Sequence, residues 1–241
     1  MQRIIFIIFR MFFKVIYYFV NICNLAKEKN RDKNKISILL NKACKDVIKK
    51  GRVNAVILGE ENLPKEDGFI MYPNHQGMFD VLMMFASLTR PLAFVIKKEA
   101  SKTILLKQII EATGSKPMDR KDLRQSIRVI NEVTDDVKNG KNYVICAEGT
   151  RSKQGNKLLD FKGGSFKAAI NAKCPIVPCA LIDSYRPFDE KGIKPIRVVL
   201  IYLKPMEYEE YKDMKSQDIA IEVKSRIEKA IANYLDNENA V

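Results

Sequence analysis

The sequence predicts an α/β fold: a mixed, mostly parallel sheet flanked by helices, preceded by an N-terminal arm of two amphipathic helices. Three observations point there. From residue 53 onward, short runs rich in Val, Ile and aromatic residues alternate with longer helix-compatible stretches, the order that lays helices over the faces of a sheet. Polar blocks able to carry chemistry fall just beyond apolar segments, where open α/β sheets bind ligands. Residues 1–50 differ in kind: they hold twelve Lys and Arg against three acids, nine of the thirteen net positive charges of the 241-residue chain.

The arm begins Met1-Gln2-Arg3-Ile4-Ile5-Phe6-Ile7-Ile8-Phe9-Arg10, and residues 15–20 are wholly apolar. Arg3, Arg10, Lys14 and Asn21, spaced by seven, four and seven, share one helical face; the other faces are Ile, Phe, Val and Tyr. Such a helix suits a bilayer interface, its basic edge toward lipid phosphates. As a spanning helix it would set Arg10 and Lys14 near mid-membrane at roughly 2.5–3.5 kcal/mol each, so interfacial insertion is the favoured reading. Small residues that would mark signal cleavage do not follow the stretch. Residues 26–35 read as a charged connector. Ile36, Leu39, Leu40, Ala43 and Val47 then form a second amphipathic stripe. The expected division is 1–50 as membrane-associating helices and 51–241 as the catalytic domain. A chain starting near Lys50 is expected to lose vesicle binding and keep its fold.

In the main domain, strands are expected over 53–58, 69–72, 92–96, 143–147, 176–182 and 196–203. Helices are expected over 79–88, 99–112, 122–138, 165–172 and 216–235, with Gly114 ending the second and residues 236–241 fraying. Hydrophobic content of 46% is enough for a sizeable core. The basic charge sits in the arm, and the main domain shows no zinc-finger spacing, stacking motif or basic recognition helix, so nucleic acid is not an expected partner. Five cysteines without a paired framework suit a reducing cytoplasm, with Cys146, Cys174 and Cys179 as small core residues.

The one histidine sits in Asn74-His75-Gln76-Gly77-Met78-Phe79-Asp80. Histidine alone has an unperturbed pKa near physiological pH, so His75 is the natural general base, and Asp80 can fix its tautomer and stabilise the imidazolium. On one continuous helix, residues five apart would not face each other. They meet if His75 lies in a loop and Asp80 in the first turn of the next helix. The apolar run Phe69-Ile70-Met71-Tyr72, stopped by Pro73, and the helix-compatible stretch from Phe79 predict that strand–turn–helix arrangement. Lys116-Pro117-Met118-Asp119-Arg120 follows the helix ending at Gly114, and Glu148-Gly149-Thr150-Arg151-Ser152 follows an apolar run. Both supply an arginine, whose planar fork suits phosphate oxygens.

The ordered blocks Asn74-His75-x4-Asp80, Gly114 with Asp119-Arg120, Glu148-Gly149-Thr150-Arg151-Ser152, Phe161-Lys162-x-Gly164-x-Phe166-Lys167, and Val177-Pro178 with Ala180-Leu181 resemble those of the glycerolipid acyltransferases typified by 1-acyl-sn-glycerol-3-phosphate (lysophosphatidic acid) acyltransferase. The resemblance runs over residues 53–205. It departs at Gly77, where members often carry Ser, and at Pro117-Met118, where an aromatic–Ile pair is common. It implies the glycerolipid acyltransferase fold and a chain held by N-terminal helices at the cytoplasmic face of the cell membrane. The implied reaction transfers an acyl group from acyl-carrier protein or acyl-CoA to the sn-2 hydroxyl of lysophosphatidic acid, giving phosphatidic acid. His75 and Asp80 are then catalytic. Asn74 holds the loop or donates a hydrogen bond, Glu148, Gly149 and Thr150 help position the acceptor, and Arg120 and Arg151 bind its phosphate. Lys97 matches a family lysine and either supports the oxyanion or is simply solvated. No cofactor is expected, and with one histidine no H-E-x-x-H metal site. The G-x-S-x-G elbow of serine hydrolases is absent. Rival readings are another acceptor, such as glycerol 3-phosphate or a different lysolipid, and a non-catalytic membrane-binding protein.

Overall fold

A computed structural model describes residues 2–27 and 32–239. In chain order the elements are α1 (Gln2–Lys27), α2 (Lys33–Lys50), β1 (Val53–Leu58), β2 (Ile70–Pro73), α3 (Phe79–Ser87), β3 (Leu92–Lys97), α4 (Ile104–Thr113), β4 (Lys116–Met118), α5 (Leu123–Lys138), β5 (Asn142–Val144), α6 (Lys167–Ala172), β6 (Ile176–Ile182), α7 (Arg186–Asp189), β7 (Ile196–Tyr202), α8 (Tyr208–Tyr211) and α9 (Ser216–Asn239). The sheet runs β1-β7-β6-β2-β5-β3-β4. Every neighbouring pair is parallel except β6 with β7, so β1 and β7 run against the other five strands. The expected mixed, mostly parallel sheet is therefore present.

Alternation along the strands feeds two cores. In β6, Val177, Cys179 and Leu181 point to a layer built with α2 and α3. Ile176, Ala180 and Ile182 point to a layer built with α5, α6 and α9. The helices present helical-spaced stripes to these layers: Ile36, Leu40, Cys44 and Ile48 from α2; Val129, Val133 and Val137 from α5; Ile219, Val223 and Ile227 from α9. All seven residues of β6 are buried, as a central strand covered on both faces requires. The Asn41 amide of α2 donates to the carbonyls of Phe85, Ala86 and Leu88, which fastens the end of α3 to the arm.

Several boundaries moved. The helix expected over 99–112 is a 3₁₀ turn, Lys98–Lys102, followed by α4, which ends as expected at Gly114 in the left-handed region (φ 70°). The stretch from 165 opens with a 3₁₀ turn, Gly163–Phe166, before α6. β4 is an edge strand of three residues, too short to show an alternation. β5 stops at Val144, although the Ile145 amide still donates to the Met71 carbonyl, and residues 147–148 form a turn. At the C-terminus α9 continues to Asn239 where fraying was expected; residues 240–241 lie outside the described residues. Of the expected connector, 28–31 lie outside the described residues, and Asp32 caps α2 by accepting from the Asn34 and Lys35 amides.

Packing splits the basic stripe of the arm: Arg10 and Lys14 stay exposed, while Arg3 turns inward. Arg3 is buried, donating to the Gly51 and Lys194 carbonyls at 2.6 and 2.7 Å. Lys14 pairs with Asp46 at 2.6 Å, Tyr18 donates to the same carboxylate oxygen, and Asn21 bonds back to Tyr17. Arg3 is drawn in by the Gly51 carbonyl at the C-cap of α2, which lacks a helical partner. Beside these cations α1 exposes a broad apolar surface: Phe9 and Phe13 are 85% and 84% exposed, in a ridge with Ile5, Phe12, Ile16 and Val20. The buried stripe of α2 belongs to the main core, across the expected boundary at residue 50. Removing it would uncover that core.

Asp46 shows how the arm is held. Burial alone would raise its carboxyl, but Lys14 and Tyr18 overcome this and hold it below the usual carboxylate range. A depressed carboxyl contributes stability above its unfolded pKa and loses it as pH falls through the folded value. Asp46→Asn is thus expected to lower the melting temperature near pH 7, the deficit closing below about pH 4. Thermal unfolding of both proteins across pH tests this; a deficit independent of pH would show that charge at Asp46 does not hold the arm.

Candidate active site

The carboxyl ends of β2, β3, β4, β5 and β6 share one edge of the sheet, and every candidate block emerges there. Pro73 ends β2, residues 74–78 form a loop, and α3 starts at Phe79, the predicted strand–turn–helix arrangement. His75 Nδ1 lies 2.7 Å from Asp80 Oδ2. A carboxylate only accepts, so Nδ1 carries the proton and Nε2 keeps its lone pair. The backbone of His75 is pinned at both groups: its N–H donates to Glu148 Oε1 at 2.7 Å, and its carbonyl accepts from the Ser152 amide at 2.9 Å. Asp80 Oδ2 also accepts from the Gln76 and Gly77 amides, and Oδ1 accepts from Ser184 Oγ.

Asn74 and Glu148 both brace loops of the site, for Asn74 one of the two roles expected. The Asn74 amide is used on both sides by the Leu181 backbone, tying the His75 loop to β6. Glu148 is 2% exposed, its second oxygen accepting from the Leu159 amide at 3.1 Å. Burial raises its carboxyl, against the pull of the His75 and Leu159 amides.

The Arg120 and Glu148 blocks do converge: Arg120 Nη1 donates to the Gly149 carbonyl. Gly149 is left-handed (φ 75°), and a Cβ there would sit 2.9 Å from Lys162 Nζ, so glycine lets that lysine lie against the turn. Thr150 is exposed. Arg151 lines a cavity of about 390 Å³ with Gln76, Ser152, Lys153, Gly155, Tyr185 and Asp189. Lys97 ends β3 at the same edge, its ammonium 3.4 Å from Glu99. Cys146 is partly buried, and burial pushes its thiol up, away from nucleophilic reactivity. The sequence reading missed Gln76, Asn156 and Ser184. The signal for Ser184 was available: Asp183-Ser184 directly follows a buried strand, as the other blocks follow apolar runs. At Gly77, a Cβ would lie 3.2 Å from Tyr185 Cα, so this chain brings the Ser184–Tyr185 turn close to the loop.

An acid–base dyad at the strand ends of an α/β sheet, beside arginines and a cavity, defines a group-transfer enzyme. The acyltransferase family model matches residues 54–182, more than half of the chain, and the protein belongs to that family. It is an O-acyltransferase. The chain is 27% identical over 196 residues to a probable 1-acyl-sn-glycerol-3-phosphate acyltransferase of Mycoplasma pneumoniae, covering 76% of this chain and 73% of that one. It is 29% identical over 172 residues to the 1-acyl-sn-glycerol-3-phosphate acyltransferase of Escherichia coli, covering 71% and 69%. Its fold matches the crystal structure of the 1-acyl-sn-glycerophosphate acyltransferase PlsC of Thermotoga maritima, with a TM-score of 0.80 over 97% of this chain and 96% of that one, at 20% identity.

Proposed function

We propose that this protein transfers a fatty acyl group from a thioester donor, acyl-carrier protein or acyl-CoA, to the sn-2 hydroxyl of 1-acylglycerol 3-phosphate, giving phosphatidic acid. The observation that carries this reading is the His75–Asp80 contact, which leaves Nε2 as an oriented base. The acceptor oxygen attacks the thioester carbonyl as Nε2 takes its proton. The tetrahedral oxyanion collapses, the C–S bond breaks, and the thiolate leaves with the proton from the imidazolium. Asp80 stabilises the imidazolium between the two transfers. Arg151 and Arg120 supply the donors for the acceptor phosphate. Lys97 is the candidate cation for the oxyanion once released from Glu99. The similarity to two proteins named as 1-acylglycerol-3-phosphate acyltransferases supports the acceptor.

The enzyme works at a lipid surface on this reading, on the cytoplasmic face of the cell membrane. The apolar ridge of α1 enters the interface, and α1 stays packed along α2. α1 has the length and composition of a spanning helix. Its buried Arg3, clamped at one end of α2, and Ile22 and Ala26, packed near the other, favour lying on the surface.

Lipid mass spectrometry after incubation with lysophosphatidate, glycerol 3-phosphate, other lysolipids and neutral monoacylglycerol, with each donor, tests the acceptor and donor assignments. Turnover of glycerol 3-phosphate in preference to lysophosphatidate would replace the acceptor. Truncating Arg120 or Arg151 to Ala is expected to reduce kcat/KM for lysophosphatidate about 10- to 100-fold more than for monoacylglycerol, the scale of a hydrogen bond to a charged group. Equal losses on both acceptors would make the arginines structural.

A further inference from the structure

We propose that Ser184 is the positioning residue that holds Asp80, and through it keeps the His75 ring in its base-competent tautomer; this rests on His75 being the base. The Asp80 carboxylate is 2% exposed, so its acceptor sites depend on protein donors. Oδ2 carries three of these: His75 Nδ1 and the Gln76 and Gly77 amides. Among the described residues, Oδ1 receives one, the Ser184 hydroxyl at 2.6 Å. Ser184 is fully buried at the end of β6 and comes from 104 residues away in the chain.

Its own place is secured from two sides. The Ser184 amide donates to Gln76 Oε1 at 2.7 Å, and Gln76 Nε2 donates to Asn156 Oδ1 at 2.7 Å. Asn156 in turn exchanges hydrogen bonds with Asp183, which adopts the left-handed region (φ 59°). The turn beyond β6 is therefore locked to the His75 loop, with the serine hydroxyl aimed at the free carboxylate oxygen. Without that hydroxyl, Oδ1 is buried and unmatched. The carboxylate is then held through Oδ2 alone, and its alignment to the Nδ1 proton is less fixed. The imidazole proton can shift to Nε2, and in that tautomer the ring lone pair sits on Nδ1, facing Asp80 and not the acceptor hydroxyl.

A single histidine makes this testable, because ¹⁵N-imidazole labelling of the full chain in lipid–detergent micelles yields one pair of ring-nitrogen signals. At a pH where the ring is neutral, the wild type is expected to show protonated Nδ1 and unprotonated Nε2. Ser184→Ala should show mixed tautomers and about a tenfold lower kcat with unchanged KM for lysophosphatidate, the scale of one charge-assisted hydrogen bond. Ser184→Thr should restore both readouts, and Ser184→Cys, a weaker donor of similar volume, should fall between. If the alanine variant does not fold, the cysteine and threonine pair gives the same comparison. A single wild-type tautomer in folded Ser184→Ala or Ser184→Cys overturns the proposal whatever the rate does. So does a rate loss that Thr fails to restore in a folded protein. If His75→Ala retained turnover, the base assignment would fall, and the tautomer spectra would still decide what Ser184 does.

Discussion

His75→Ala is expected to lose at least about 10²–10⁴ of turnover, the usual worth of a positioned general base, with acceptor KM little changed. The effect should be clean because the ring hangs from a backbone held independently of it: the His75 N–H on Glu148 and its carbonyl on Ser152 both survive the substitution. Asp80→Asn is a harsher perturbation of the same centre. The amide can still accept at the Oδ2 position, so the loop keeps its caps, but the negative charge that stabilises the imidazolium is gone. Its kcat should also fall strongly. Single-turnover rates of variants whose circular dichroism matches wild type make the measurement. Near-normal turnover in folded His75→Ala would rule out the mechanism.

The second large effect concerns the arm. Phe9→Asp with Phe13→Asp is expected to release most of the protein from vesicles. Each ring is worth about 1.5–3 kcal/mol when removed from water, so the pair corresponds to at least about a hundredfold in partitioning. The loss should appear on neutral vesicles at every salt concentration, because the ridge is apolar, and the two added carboxylates should deepen it on anionic vesicles at low salt. Reversing Lys14 acts differently: it sets a carboxylate against Asp46 and strains the contact between α1 and α2. Flotation across a salt series separates the two. Vesicle binding by the double aspartate variant equal to that of the parent would remove the ridge as the membrane contact. Protease protection of a tag placed ahead of Met1 in sealed vesicles would show that α1 spans.

The strand ends and the His75 box were legible because their signals are local. Pro73 stops a buried run and Phe79 opens an apolar helix, so a loop had to carry His75 and a first helical turn Asp80. Period-2 and period-3.6 patterns located most other elements for the same reason. β4 escaped because three residues make no period, and the 3₁₀ turn before α4 escaped because its sequence is also compatible with α-helix.

The sequence by itself determined that α1 has a polar edge and an apolar remainder, and that a base, a carboxylate and two arginines occur in an order similar to that of a known family. Only the tertiary structure decided which way each of them faces. Arg3, at one end of the polar edge of α1, turned inward because the Gly51 and Lys194 carbonyls lay within reach, and a buried guanidinium is tolerated where it can donate to them; Arg10 and Lys14 of the same edge stayed exposed. Asn74 and Glu148 became braces because buried backbone amides and carbonyls of neighbouring loops needed partners. Ser184 reached Asp80 because sheet order placed β6 beside β2, bringing together residues 104 positions apart. Local periodicity carries no information about such pairings, since strand neighbours are chosen by how the whole chain buries its apolar faces.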